Sequence, residues 1–157
     1  LELKHTVKVI SKSSNIFMNS VQLSVSKKYS INLNSVVLNH RGLVGRIIDI
    51  GNFTSRALLI TDINSNIPAK IFNSEIRTIV TGTSNSKYLK LKFVKENAKP
   101  QLGQMLVTSG SADIFPPNIP IGKIFKIEDD IYHVKPFVDF RNLDFVQIVD
   151  KKNKEYD

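Results

Sequence analysis

The sequence predicts an all-β protein built from two small, six-stranded β-barrels. Along most of its 157 residues, apolar side chains recur with a period of two rather than 3.6, as in strands that bury one face. β-Branched residues are frequent in these runs, and clusters of Asn, Ser, Gly and Pro separate them. This pattern is typical of small barrels or sandwiches, and the runs would fill two barrels of about six strands each.

The first half of the chain contains five predicted strands. They are 6–10, 21–25, 36–38, 43–48 and 56–60. Between the third and the fourth, Asn39 and Gly42 are residue types that tolerate the positive φ angles of a tight hairpin. The last of the five includes a continuous apolar run, which predicts a strand buried on both faces.

The rest of the chain contains seven further predicted strands. They are 69–72, 78–80, 88–93, 105–108, 122–127, 131–134 and 145–149. Within 88–93, Leu89 and Leu91 alternate with lysines, which predicts an inward apolar face that also includes Phe93. A single helical turn at 73–77 is compatible with the capping residues at its start. The prolines within 115–121 predict an extended loop that crosses a barrel mouth.

Two divisions into domains are compatible with this strand count. In one, residues 1–75 form the first barrel and residues 76–150 form the second. In the other, the second barrel is inserted into the first, and the last strands return to complete the first barrel. Residues 151–157 are largely charged and are expected to form a tail.

Composition excludes several classes of function. The chain has no cysteine, so disulfides, thiol catalysis and thiolate metal sites are excluded. No apolar run approaches the roughly 20 residues of a membrane-spanning helix. The 22 basic residues against 14 acidic ones give a net charge of +8, which favours solubility and attraction to anionic surfaces without defining a site.

The residues available for catalysis or metal binding do not form a recognisable constellation. Ser109 is the candidate nucleophile, but Val107 and Ser111 stand where a nucleophile elbow has glycines. The three histidines are not spaced like the ligands of a compact metal site. The acidic segment 128–130 lacks the further oxygen ligands of a calcium loop. We therefore predict no catalytic residues, no metal and no cofactor, with Ser109 closing a turn.

Binding to another molecule is the remaining class of function. The apolar residues around the prolines, Ile114, Phe115, Ile119 and Ile121, are the first candidates for an exposed partner-binding patch. Equally, they could plug the end of a barrel. Five lysines between residues 87 and 99 leave open an alternative in which a barrel binds nucleic acid or cell-wall polymer, although lysine on the wet face of a strand is the commoner meaning.

Several segments resemble one known family, MreC. The segment 36–47, with Gly-Leu-Val-Gly-Arg at 42–46, resembles the family's strand, turn and following strand. The segment 102–110, followed by Phe115-Pro116 and by 119–124, is similar to the family's glycine turn, Thr-Ser-Gly strand end, Phe-Pro and hairpin entry in order and spacing. Weaker likenesses are at 58–62, 67–69, 134–136 and 143–146.

The departures from the family pattern are local. Gln104 replaces a usual acidic residue, and Asn118 replaces a common glycine but tolerates positive φ. Residues 111–113 replace a more glycine-rich stretch, and residues 27–29 replace a glycine-containing turn. The predicted structural turn residues are Gly42, Gly45, Thr108, Ser109, Gly110 and Gly122.

The resemblance implies a non-catalytic scaffold of the bacterial cell-elongation machinery that organises and activates peptidoglycan synthesis to maintain cell shape. It implies two barrels somewhat reminiscent of chymotrypsin-like proteases, on the periplasmic, extracytoplasmic face of the cytoplasmic membrane. An upstream helix outside this chain would anchor them. The implied partners are a class B penicillin-binding transpeptidase, MreD, RodA and the actin-like MreB system, with self-association as a further interaction and no nucleic acid.

Overall fold

The described part of the chain contains twelve strands and two single-turn 3-10 helices, joined by turns and loops. The computed structural model describes residues 3–14, 19–29, 31–85 and 87–150. The expected tail at 151–157 lies outside these residues. The strands are β1 (Leu3–Ser14), β2 (Asn19–Leu23), β3 (Val36–Asn39), β4 (Gly42–Ile50), β5 (Ser55–Leu59), β6 (Asn66–Ile71), β7 (Arg77–Gly82), β8 (Leu89–Lys92), β9 (Met105–Thr108), β10 (Pro120–Glu128), β11 (Ile131–Pro136) and β12 (Phe145–Asp150).

The strands close into two antiparallel barrels, which confirms the predicted fold class. The first barrel has the order β1-β12-β3-β4-β5-β2, and the second has the order β10-β11-β8-β7-β6-β9. Closure leaves neither sheet with an open edge, so every strand has a neighbour on each side. Both barrels place their apolar side chains inside, and these merge into one hydrophobic cluster.

The strand pairing differs from a division at residues 75 and 76. β6 precedes that point, yet it pairs with β7 and β9 of the second barrel. β12 lies after the second barrel in the chain, yet it pairs with β1 and β3 of the first. The six strands β6 to β11 are therefore inserted between β5 and β12.

The hairpin between β3 and β4 forms by a different device from the one expected. Asn39 does not adopt a positive φ. Instead its side-chain oxygen accepts hydrogen bonds from the backbone N–H groups of Arg41, at 2.9 Å, and Gly42, at 3.3 Å. This side chain closes the turn by mimicking a backbone acceptor. Gly42 adopts φ 152° and lies against the Pro120 carbonyl of the second barrel, so a Cβ there would clash.

Two local predictions are wrong. Phe93 lies just beyond β8 with φ 58°, and its side chain is 80% exposed rather than inward, because the left-handed backbone ends the alternation. The segment 73–77 is not a helix: Asn73 lies in a turn at φ 58°, and Arg77 is already the first residue of β7. The 3-10 helices are at Lys27–Tyr29 and Ser111–Asp113. In the predicted doubly buried run, Leu58, Leu59 and Ile60 are all buried, as expected.

The segment that leads from the first barrel into the second is held by both. The buried carboxylate of Asp62 accepts the backbone N–H of Asn19, in β2, at 2.6 Å and that of Asn64 at 2.7 Å. The carbonyl of Thr61 accepts the N–H of Ser84, beyond β7, at 2.8 Å. These bonds join the connecting segment to each barrel and fix the barrels relative to each other.

Candidate functional site: the proline-rich loop and the cleft between the barrels

The loop between β9 and β10 is held by one threonine side chain. Thr108 Oγ1 donates to the Pro116 carbonyl at 2.5 Å and accepts the backbone N–H of Ile119 at 2.9 Å. Asn118 adopts φ 68°, as its residue type allows, and its N–H reaches the Thr108 carbonyl at 2.8 Å. Gly110 adopts φ 79° against Pro117. The Thr-Ser-Gly strand end therefore folds the loop back onto the barrel.

This geometry places most of the predicted partner-binding residues in the core. Phe115, Ile119 and Ile121 are 5%, 6% and 0% exposed, so the expectation that they form a surface patch is wrong for these three. The cause is the pair of hydrogen bonds made by the Thr108 hydroxyl, which turns the loop inward. Ile114 is 36% exposed and is the remaining member of the set at the surface. A contact between Ile114 and a partner stays a prediction.

Ser109 is engaged within its own turn. Its hydroxyl donates to Ser111 Oγ at 3.0 Å and accepts the Ser111 N–H at 3.2 Å, while its own N–H reaches the Pro68 carbonyl at 3.0 Å. This is the turn-closing role expected from the sequence. Two of the predicted turn glycines are not turn residues. Gly45 and Gly122 lie within β4 and β10, where neighbouring backbone leaves no room for a Cβ.

The histidines lie in separate environments. His5 packs edge-on against Tyr29 with ring centroids 6.4 Å apart, and His133 packs edge-on against Tyr88 at 5.5 Å and Phe125 at 6.2 Å. His40 is exposed at the β3–β4 turn. Among the residues with described positions, no group of three or more His, Cys, Asp or Glu could hold a metal ion. No helix in the same residues is long and apolar enough to cross a membrane.

A cleft of about 610 Å³ is a concave feature that the sequence did not reveal. We call it the junction cleft. It lies where the β3–β4 turn of the first barrel meets the second barrel and the segment between β11 and β12. Its lining residues are Arg41, Lys87, Tyr88, Phe125, Lys135, Pro136, Phe137, Val138, Asp139, Phe140 and Arg141.

The floor of the junction cleft is anchored on both sides. Val138 and Phe140 are buried, and the Phe140 carbonyl accepts a hydrogen bond from Lys12 Nζ of β1 at 2.7 Å. Partial burial lowers the pKa of Lys12, and the nearby Asp139 carboxylate opposes that shift. The segment that crosses from the second barrel to the first is thus attached to the core and to a strand of the first barrel.

One acidic side chain lies among the four basic ones of the junction cleft. The Asp139 carboxylate accepts Asn142 Nδ2 at 2.8 Å and the Arg141 N–H at 3.1 Å, and Arg141 Nε lies 3.8 Å from it. These hydrogen bonds, chiefly that from Asn142, lower the pKa of the Asp139 carboxyl, and the positive charges of Arg141 and Arg41 act in the same direction. Asp139 is ionised at neutral pH and already has its partners.

Comparison with known proteins matches nearly all of this architecture. The family model "Rod shape-determining protein MreC, barrel core" matches residues 9–150. The cell shape-determining protein MreC of Caulobacter vibrioides is 34% identical over 142 residues, which cover 90% of this chain and 41% of that protein. This chain therefore spans less than half the length of that relative.

Solved structures show the same fold. The crystal structure of MreC from Pseudomonas aeruginosa matches with a TM-score of 0.89 at 24% identity, covering 95% of this chain and 100% of that one. MreC in a complex with the penicillin-binding protein PBP2, from Helicobacter pylori, matches with a TM-score of 0.67 at 16% identity over 95% of this chain and 100% of that one. With the family model matched over nearly all described residues, this chain belongs to the MreC family of rod shape-determining proteins.

Proposed function

We propose that this chain is a protein-binding scaffold of the bacterial cell-elongation machinery, which organises and activates peptidoglycan synthesis to maintain cell shape. The observation that carries the proposal is the Helicobacter pylori structure, in which an MreC protein of this fold is in complex with PBP2. At 16% identity that likeness establishes the fold alone. A class B penicillin-binding transpeptidase is therefore a proposed partner of this chain. Membership of the MreC family is the second support.

The proposal includes location and further partners. We propose that the barrels act on the extracytoplasmic, periplasmic side of the cytoplasmic membrane, because peptidoglycan lies on that side, and that a membrane anchor outside this chain holds them there. MreD, RodA and the MreB system follow from the family resemblance, as does self-association. Because the second barrel is inserted between β5 and β12, we treat the two barrels as one rigid scaffold rather than as two independent binding modules.

The role proposed for the barrels is non-catalytic. The surroundings of the candidate nucleophile support this role. The Ser109 hydroxyl makes two hydrogen bonds to Ser111, one to its hydroxyl and one from its N–H, and neither of these bonds involves a histidine. The rings of His5 and His133 pack against aromatic side chains. Activation of a transpeptidase would then come from binding one of its conformations in preference to another.

A binding measurement tests this proposal. The purified chain is immobilised, and the extracytoplasmic part of the class B transpeptidase from the same organism is passed over it in a biolayer interferometry experiment. We expect saturable binding that a heat-unfolded sample of the chain does not show. Absence of binding to the folded chain would refute the proposed partner. Equal or tighter binding to duplex DNA or to purified cell-wall polymer would favour the alternative function instead.

Ile114 can be tested in the same experiment. Ile114→Asp places a charge at a partly exposed position without filling the core, and Phe53→Asp is the matched control because Phe53 is 89% exposed on the first barrel. We expect Ile114→Asp to weaken binding and Phe53→Asp to leave it unchanged. Unchanged binding by a folded Ile114→Asp variant would exclude Ile114 from the interface.

A further inference from the structure

We propose that the junction cleft binds an acidic, partly apolar peptide segment of a protein partner. The proposal rests on the proposed function in one respect, that this chain binds proteins, and it names the site and the chemistry of the bound segment. Three features support it: unpaired positive charge, apolar walls and a preformed floor.

Asp139 neutralises only part of the positive charge of the junction cleft, which has four basic side chains and one acidic one. Among the described residues, Arg41, Lys87 and Lys135 have no carboxylate within the 4.0 Å of an ion pair. Asp139 is already engaged by Asn142. The three unpaired cations come from three separate places, the β3–β4 turn, the segment before β8, and β11. The Arg41 guanidinium offers a two-pronged hydrogen-bonding geometry that matches a carboxylate ligand.

The walls of the junction cleft favour a peptide over a simple anion. Tyr88, Phe125 and Phe137 contribute aromatic surface, and Phe125 is 47% exposed. The rings of Tyr88 and Phe125 both pack against His133, which holds them in position. Aromatic side chains beside unpaired cations complement a segment in which apolar and acidic residues alternate.

The shape of the junction cleft favours the same class of ligand over a membrane or a nucleic acid. A volume of about 610 Å³ accommodates a few side chains, within the range of about 300 to 1,000 Å³ typical of ligand pockets. A bilayer surface is not concave, and a nucleic-acid strand requires a basic groove that follows its backbone for several nucleotides. The floor formed by Val138 and Phe140 is buried and bonded to Lys12, so binding would order little of the protein.

A peptide titration tests the inference directly. The probe is a dye-labelled, N-acetylated octapeptide of alternating Glu and Leu, followed by fluorescence anisotropy, with the Gln–Leu octapeptide as its uncharged counterpart. We expect saturable binding of the Glu–Leu peptide that weakens as salt is raised, since salt screens exposed charges. The Gln–Leu peptide should bind at least about tenfold more weakly, as expected for the loss of a few surface ion pairs.

Charge reversal locates the site. The double variant Arg41→Glu with Lys135→Glu changes two exposed lining residues, and Lys27→Glu with Lys92→Glu makes the same change in net charge at exposed residues outside the junction cleft. We expect about a tenfold loss of peptide affinity for the first pair and less than a twofold loss for the second. Circular dichroism and the melting temperature show whether each variant is folded.

Three results would overturn the inference: no binding of the Glu–Leu peptide by the wild-type chain, an equal loss in both double variants, or tighter binding of anionic lipid vesicles or single-stranded DNA than of the peptide through the same residues. Transpeptidase binding is measured separately from peptide binding, so the proposed function and the inference can fail independently. If the cleft variant loses the peptide yet binds the transpeptidase as wild type does, the inference stands and the transpeptidase docks elsewhere. If the wild-type chain binds the peptide but not the transpeptidase, the proposed function fails and the inference stands.

Discussion

Replacing Asp62 by alanine tests how the two barrels are held together. The Asp62 side chain is fully buried and accepts two backbone N–H groups, of Asn19 at 2.6 Å and of Asn64 at 2.7 Å. Asn19 is itself buried, so its N–H loses this acceptor in the interior, whereas the N–H of the more exposed Asn64 can bond water instead. A buried donor left without this bond costs roughly 2 to 3 kcal/mol, and the exposed one adds less than about 1.

The expected destabilisation by Asp62→Ala is therefore about 3 kcal/mol. For a chain of this size, such a loss lowers the melting temperature by roughly 6 to 12 °C. The assay is urea unfolding followed by far-ultraviolet circular dichroism, since the chain has no tryptophan. Asp144→Ala is the matched control because Asp144 is exposed and keeps its backbone bond to Val9. A loss below about 1 kcal/mol, or one equal to that of Asp144→Ala, would refute the role assigned to Asp62.

Three further predictions concern the loop, a close backbone contact and the junction cleft. Thr108→Val should lower the free energy of unfolding by about 2 to 3 kcal/mol, because it removes the donor to Pro116 and the acceptor for Ile119. Thr108→Ser keeps the hydroxyl and should retain most of that stability. Equal losses for the two variants in urea unfolding would contradict the role assigned to the hydroxyl. Gly45→Ala should lower the melting temperature far more than Gly103→Ala, because its Cβ would lie 1.9 Å from a carbonyl oxygen while Gly103, at φ 87°, has open space around it. Asn142→Ala should raise the pKa of the Asp139 carboxyl toward its ordinary value, measured by carbon-13 NMR titration; an unchanged pKa would show that the Asn142 bond is not its main cause.

The strands were predictable because their signals are local. Alternation along the chain and Asn, Ser, Gly and Pro between the runs mark a strand wherever it lies, and each predicted run overlaps a strand of the structure. Phe93 shows the limit, since a single residue with positive φ turns the side chain out of an otherwise regular pattern. Asn39 shows another, because its side chain rather than its backbone closes the hairpin.

The assignment of strands to barrels depends on contacts that local patterns do not report. β5 and β6 are neighbours in sequence but lie in different barrels, while β1 and β12, at opposite ends of the described chain, are paired. Periodicity gives the face of a strand that is buried but not the identity of its partner. For this reason the local pattern could not decide between a division at residues 75 and 76 and an inserted second barrel.

The candidate site was hidden for a related reason. Hydrophobicity around the prolines showed that Phe115, Ile119 and Ile121 avoid water, but the inward direction comes from the two hydrogen bonds of Thr108. The junction cleft brings together residues as distant in sequence as Arg41 and Lys135. No spacing rule links these positions, so only the folded structure reveals their proximity.

Labelling of new peptidoglycan in cells tests the central claim most directly. The protein is depleted in its own organism, and a fluorescent D-amino acid is used to measure the rate and the position of incorporation along the cell body. A scaffold of elongation predicts that incorporation along the side wall falls and becomes dispersed as the cells lose their shape, and that expression of the wild-type protein restores it. Unchanged incorporation and unchanged cell shape after complete depletion would contradict the account.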